Sequence, residues 1–253
     1  MTVNSGSTNR GCPLFRGARS LAVSLLVAAL AGCASGPNAD PRDPFEPLNR
    51  GVYKFNDALD SAVLKPVATA YRDVTPSLVR RGVGNFFANL EDIWSFVNNA
   101  LQFKGQAAGD SLARFGINTF IGIGGIFDVA SDLSIEKHAR DFGQTLGYWG
   151  VAPGPYLVLP LLGPSSVRDA VALPVDMAGD LVSQASHVPT RNSAKVIRII
   201  DNRSELLRAS DMLDQIALDK YVFVRDAYLQ RRRNAAYDGN PPEEKFDEES
   251  PPQ

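Results

Sequence analysis

The thiol of Cys33 is the side chain whose setting most plainly prepares it for a reaction. It follows Leu30, Ala31 and Gly32, a run of small and apolar residues. That tetrad has the form of a bacterial lipoprotein processing site, with cleavage after Gly32 and diacylation of the sulfur. Two acyl chains matter physically, because each buried CH₂ adds about 0.8 kcal/mol and one chain alone anchors only reversibly. The reaction needs a leader to deliver it. Residues 1–19 carry Arg10, Arg16 and Arg19 and no acidic residue, and an apolar run follows from Leu21 to Ala31. Basic flank, short apolar core and small residues are the parts of a secretory signal. The core is about 11 residues long, short of the roughly 20 that a spanning helix needs. Ala34 and Ser35 follow the cysteine, with no Asp to hold the protein at the inner membrane. The expected address is therefore the periplasmic leaflet of the outer membrane, with the chain anchored through Cys33.

Other chemistries find few residues to work with. The only histidines are His138 and His187, and neither an H-E-x-x-H nor a C-x-x-C is present. The common zinc patterns are thus absent, and no metal is expected. There is no G-x-S-x-G; Ser165-Ser166 follow Gly163-Pro164 without the second glycine. Gly122-Ile123-Gly124-Gly125 is half of a dinucleotide loop and reads more simply as a tight turn. No phosphate-binding P-loop occurs, so no cofactor is expected and no energy-coupled step is carried by this chain. Asp92, Asp128, Asp141 and Asp169 each flank an apolar run, where caps and ion pairs are the usual roles. The chain is not expected to be an enzyme.

Of 26 basic residues, three lie in the leader, leaving 23 against 28 acidic ones. A net charge near −5 with no basic cluster argues against nucleic acid. Cys12 also lies in the leader, so a processed chain has no disulfide. Its stability must come from packing or from a membrane.

The elements that must position these residues are mostly helices. Residues 33–47 carry the lipid and form a proline-rich extended linker. Leu48, Val52, Phe55, Leu59 and Ala62 share one helical face, and Pro66 predicts that helix's end. Thr75-Pro76 predicts a new helix with Thr75 as cap. Val79, Val83, Phe86 and Leu90 then recur at helical spacing. A further helix is expected over 106–119, and a single long one over 203–235 with Leu206, Leu213, Ile216, Val224 and Tyr228 on its apolar stripe. Residues 48–235 form the folded domain, and the acidic, Pro-rich stretch 236–253 reads as a disordered tail. Tyr156–Leu159 is the one short strand candidate, so the class is all-α.

Two central segments stand apart. Residues 117–127 (INTFIGIGGIF) are uncharged and glycine-rich, and residues 142–167 run 26 positions without a charge. Prolines at 153, 155, 160 and 164 forbid a regular spanning helix there. Two readings stand: buried loops and strands in a water-soluble core, or non-helical backbone at membrane depth lining a cavity.

An ordered set of motifs resembles the MlaA (VacJ) family of outer-membrane lipoproteins. It comprises Asp43–Arg50 (DPFEPLNR) with Tyr53 and Phe55-Asn56, Lys65–Ala68 leading to Tyr71–Asp73, and Gly84-Asn85-Phe86 through Asn89-Leu90. It continues through Arg114-Phe115, Asn118, Gly122–Gly125 with Asp128, Asp141–Gly147 and Gly154–Tyr156. Leu159-Pro160, Gly163–Ser165, Arg168-Asp169 and Tyr228–Arg232 complete it. The stretch Glu136–Arg140 is more basic than the family pattern.

The resemblance implies a ring-like helical assembly in the inner leaflet of the outer membrane, around an amphipathic channel. It implies that mislocalised phospholipids leave the outer leaflet through that channel, reach a soluble MlaC-like periplasmic carrier, and so maintain lipid asymmetry. A trimeric porin is an implied partner. Phe55, Asn56, Gly122, Gly124 and Gly125 are then candidates for shaping or gating the opening. Two other functions compete: a porin-associated structural lipoprotein that transports nothing, and a lipid hydrolase.

Overall fold

The computed structural model describes residues 40–242. Cys33, the leader, the first part of the linker and residues 243–253 of the expected tail lie outside the described residues.

Helix α1 (Glu46–Leu59) carries Pro47 in its first turn, where a missing N–H costs nothing. The segment before it is docked rather than extended: Asp43, within the expected linker, is buried. Pro66 does not end the helix. A π-helical turn, Asp60–Leu64, follows α1 directly and leads into α2 (Lys65–Val74). The Lys65 N–H bonds to the carbonyl of Asp60, five residues back. The wider turn gives the Pro66 ring room beside the preceding carbonyls, so the chain remains helical through a proline.

Helix α3 (Ser77–Leu101) begins one residue later than the sequence suggests. Pro76 holds the N-cap position and no side chain caps the helix, so Thr75 is not the cap. Its carbonyl accepts from Arg80 Nη1 at 2.7 Å. A turn through Gln102–Lys104 reverses the chain into α4 (Gly105–Phe120), which packs along α3 as a helical hairpin. After the glycine turn come two short helices, α5 (Val129–Asp132) and α6 (Phe142–Tyr148), capped by the carboxylates of Asp128 and Asp141.

Strand β1 (Tyr156–Leu159) pairs antiparallel with β2 (Gly163–Ser166), with Tyr156 opposite Ser166 and Leu159 opposite Gly163. The second strand was not legible in its sequence, GPSS. Helix α7 (Val167–Gly179) starts from the cap of Ser166. Two helices close the chain: α8 (Val188–Ile216) and α9 (Lys220–Ala236). The single C-terminal helix expected over 203–235 is thus two helices, the first beginning fifteen residues earlier. Asp219 makes the break, since its carboxylate accepts the N–H groups of Tyr221 and Val222 and starts a new helix. Asp238, in the expected tail, also has fixed partners.

The apolar core is small. One cluster joins Tyr156, Val158 and Tyr221, with Val52, Tyr53, Tyr228 and Leu229 packed around them, and Phe87 and Leu207 are buried elsewhere. No helix among the described residues is long and apolar enough to cross a membrane.

Candidate functional site

The distribution of polarity is inverted. Along α3 the buried side chains include Asn89, Asp92, Ser95, Asn98 and Asn99, at spacings of three and four. On α4 they include Ser111, Arg114 and Asn118. These two rows face each other and zip the hairpin shut. Asn89 Nδ2 donates to Thr119 Oγ1 at 2.9 Å, and Asn99 Nδ2 to Ser111 Oγ at 3.4 Å and the His138 carbonyl at 3.0 Å. At the far end Gln102 Nε2 donates to Thr145 Oγ1 at 2.9 Å, whose hydroxyl donates to Asn98 Oδ1 at 2.8 Å.

Large apolar side chains are outside. Phe103 is 89% exposed, Phe120 87% and Ile123 66%, all at the ends of the same helical hairpin. Leu161 and Leu162, at the tip of the β-hairpin, are 69% and 63% exposed. Large apolar side chains this exposed suit contact with a membrane or a partner.

Arg114 sits at the centre of the seam. Its Nη2 forks onto Asp128 Oδ1 and Oδ2 at 2.9 and 3.0 Å, and its Nη1 reaches the Ile135 carbonyl at 2.7 Å. Burial works against the Asp128 charge, but hydrogen bonds from Ser131, Asn118 and Arg114 outweigh it and hold the carboxyl at about 2. Asp92 lies on the other side, its Oδ2 3.5 Å from Arg114 Nε. Neither of its oxygens has a hydrogen-bond donor, nor have the Oδ1 atoms of Asn89 and Asn99. Burial pushes the Asp92 carboxyl up, with Lys137 and Arg114 only partly opposing. The seam thus carries one well-paired carboxylate and one under-compensated one.

The glycine turn is built onto this seam. Gly125 N–H donates to the Asn118 carbonyl at 2.8 Å and Phe127 N–H to that of Gly122 at 2.9 Å. A Cβ on Gly122 would stand 2.1 Å from the Phe127 oxygen, and one on Gly125, at φ +89°, 2.6 Å from Asn89 Nδ2. Gly124, at φ +69°, faces open space.

Asn56 and Phe55 sit elsewhere, on α1 against the β-hairpin. Asn56 Nδ2 donates to the Leu159 carbonyl at 3.0 Å, and its Oδ1 accepts from Leu161 N–H at 2.9 Å. Phe55 is exposed. The two candidate groups therefore have different neighbours: the glycines touch α3 and α4, while Asn56 holds the hairpin tip.

A third cluster fastens α6, α7 and α9 and escaped the sequence reading. Arg232 Nε donates to Asp169 Oδ2 at 2.8 Å and Nη2 to Asp141 Oδ1 at 3.0 Å, while the Tyr228 hydroxyl donates to Asp169 at 2.6 Å. The signal that could have found it is the pairing of Asp141 and Asp169 with a basic residue inside the 228–232 motif. The four flagged aspartates are thus caps and ion-pair partners. His187 caps α8, and His138 Nε2 lies 3.1 Å from Asp110.

The sequence profile described as MlaA lipoprotein matches residues 41–235. The chain belongs to the MlaA family. Among its relatives is the intermembrane phospholipid transport system lipoprotein MlaA of Escherichia coli K12, 37% identical over 221 residues, covering 84% of this chain and 86% of that one. The protein of the same description from Haemophilus influenzae is 32% identical over 231 residues, covering 87% and 92%. An uncharacterized Rickettsia typhi protein is 37% identical over 195 residues, 77% of each chain. A solved structure reported as the structural basis for maintenance of bacterial outer membrane lipid asymmetry superposes with a TM-score of 0.68. It is 35% identical and covers 77% of this chain and 98% of its own. The mostly helical fold with one small hairpin is that of the MlaA family.

Proposed function

We propose that this chain is an outer-membrane lipoprotein that draws mislocalised phospholipids out of the outer leaflet and passes them to a soluble, MlaC-like periplasmic carrier. Cys33 supplies its lipid anchor, and the folded domain forms a ring-like body in the periplasmic leaflet around an amphipathic channel. The observation that carries this reading is the inverted polarity: amides, hydroxyls and charges inside, exposed Phe103, Phe120 and Leu161 outside. A lipid head group crosses hydrocarbon only at high cost, since burying charge without partners is unfavourable. A body apolar outside and polar within removes that barrier, and no covalent step is required. The named transport relatives support the same reading.

Gly122, Gly124 and Gly125 would border the opening together with Phe55 and Asn56. Asn56, bonded to the hairpin tip, couples α1 to the exposed Leu161.

The test is a reconstituted transfer assay. The protein, with and without a trimeric porin, is placed in liposomes containing labelled phospholipid, and the carrier is added outside. Label should reach the carrier only when this protein is present. No transfer with an active carrier, a supplied porin and an inserted protein would instead favour the porin-bound structural role.

A further inference from the structure

A polar cleft of about 620 Å³ adjoins the far end of the α3–α4 seam, at the junction of α4, residues 136–140 and the end of α9. Lys104 and Arg140 line it with His138, and Asp238 and Glu136 supply the opposing charge. The volume is in the range of small-ligand sites. Both cations are largely buried, at 17% and 12% side-chain exposure, so they are fixed in place. They share a single carboxylate. Lys104 Nζ stands 2.7 Å from Asp238, and Arg140 Nη2 bonds the same group. Asp238 itself is half exposed, on the turn after α9. The anion at this site is therefore the replaceable member.

The backbone offers more donors. Gly105, Gln106 and Ala107 line the cleft with the first turn of α4, whose N–H groups have no side-chain cap. The positive end of a sixteen-residue helix points at the same space. Apolar surface begins next door: Phe103 adjoins Lys104 in the chain, Tyr148 lies under its ammonium at 4.9 Å, and Trp149 is half exposed. Cations beside exposed aromatic rings are what a protein presents at head-group level.

We propose that this cleft binds the phosphodiester of a phospholipid head group, with Asp238 as an internal occupant that the phosphate displaces. A phosphodiester carries one negative charge on two free oxygens, as a carboxylate does, and so fits the same fork of donors. The site rests on membrane contact alone, and holds whether or not the chain transfers lipid.

The full-length lipidated chain in neutral detergent would be titrated with dihexanoyl phosphatidylglycerol and, separately, with inorganic phosphate. The amide resonances of Gly105, Gln106 and Ala107 report binding. The short lipid should move all three, more tightly than free phosphate does. Asp238→Asn should tighten lipid binding by about tenfold, and Lys104→Gln should weaken it by about as much. Lys104 is chosen because Arg140 also holds the Ala235 carbonyl and Gln144, so its loss could disturb the fold. Amides that stay still under both titrants would overturn the site. Binding of phosphate without the lipid would overturn its assignment to head groups, and an unchanged affinity in Asp238→Asn would overturn the displacement. Lost transfer with these shifts intact would count against the conduit and leave the site standing.

Discussion

Asn49 and Asn56 stand seven residues apart on α1, and each grips the backbone of the β-hairpin with both ends of its amide. Asn49 donates to the Tyr156 carbonyl at 3.0 Å and accepts from Val158 N–H at 2.9 Å, and Asn56 repeats the pattern at Leu159 and Leu161. Seven residues are close to two helical turns, so both amides fall on one face. A helix thereby serves the hairpin as a third strand would.

The two grips differ in burial, and this sets their worth. Asn49 is buried and also bonds Asp43, so Asn49→Ala leaves several buried polar groups unpaired and should cost about 3 kcal/mol. Asn56 is only partly buried, and Asn56→Ala should cost about 1 kcal/mol while freeing the hairpin tip. Thermal unfolding gives the costs, and amide exchange at Leu161 should quicken in Asn56→Ala with Val158 unchanged.

Two aspartates flank Arg114 and should respond oppositely to neutralisation. Asp128 is held at about 2, below the ordinary 3.8, so it adds stability above that ordinary value and loses it as pH falls toward 2. Asp92 is raised, so its contribution is present below the ordinary value and is lost as pH rises through the raised one. Asp128→Asn should therefore destabilise by about 3 kcal/mol at neutral pH, since it leaves Arg114 buried beside an uncharged partner. Asp92→Asn should stabilise there. Denaturant unfolding of both variants between pH 4 and pH 8 checks the signs; destabilisation by Asp92→Asn at neutral pH would refute this account of the seam.

The glycine turn separates packing from gating. Gly125→Ala would press on Asn89 and should lower the melting temperature with or without a role in transport. At Gly124 an added Cβ meets no atom within 4 Å, and Gly124→Trp bears a left-handed backbone penalty of about 1–2 kcal/mol. Loss of lipid transfer in a folded Gly124→Trp protein would place the turn at the opening. Full transfer would reduce the glycines to a tight turn.

Within the basic triplet Arg231–Arg233, Arg232 fastens three elements together. Arg232→Gln should cost about 3–5 kcal/mol by stranding Asp141 and Asp169, whereas Arg231→Gln, at an exposed position, should stay within about 0.5 kcal/mol. Thermal unfolding of the pair decides it. Equal losses would mean that the triplet acts through its total charge.

What could be read in the sequence follows from how local each cause is. The helix over 106–119 was legible within one residue at each end, because its apolar spacing is a property of the segment alone. The β1 strand was legible from Tyr156–Leu159, while β2 was not, since Gly-Pro-Ser-Ser becomes a strand only by pairing. Pro66 misled because the π turn that accommodates it depends on a wider arrangement than one residue's φ. Phe86 read correctly as helical but says nothing of which face is inward. On α3 the inward row is Asn89, Asp92, Ser95 and Asn99, and an apolar-core expectation points the helix the other way. The Asp141–Asp169–Arg232 cluster joins residues up to 91 positions apart, beyond any local pattern.

That polar row has a consequence for where the protein can live. Helices packed through apolar faces owe their cohesion to water, and lose it when the surroundings become hydrocarbon. The α3–α4 pair is closed by Asn89 and Asn99, whose bonds do not depend on the solvent outside for their driving force. Such a joint holds in either medium. A chain that passed from an aqueous compartment into acyl chains would keep one internal geometry across the move, and only its outer coat would change company.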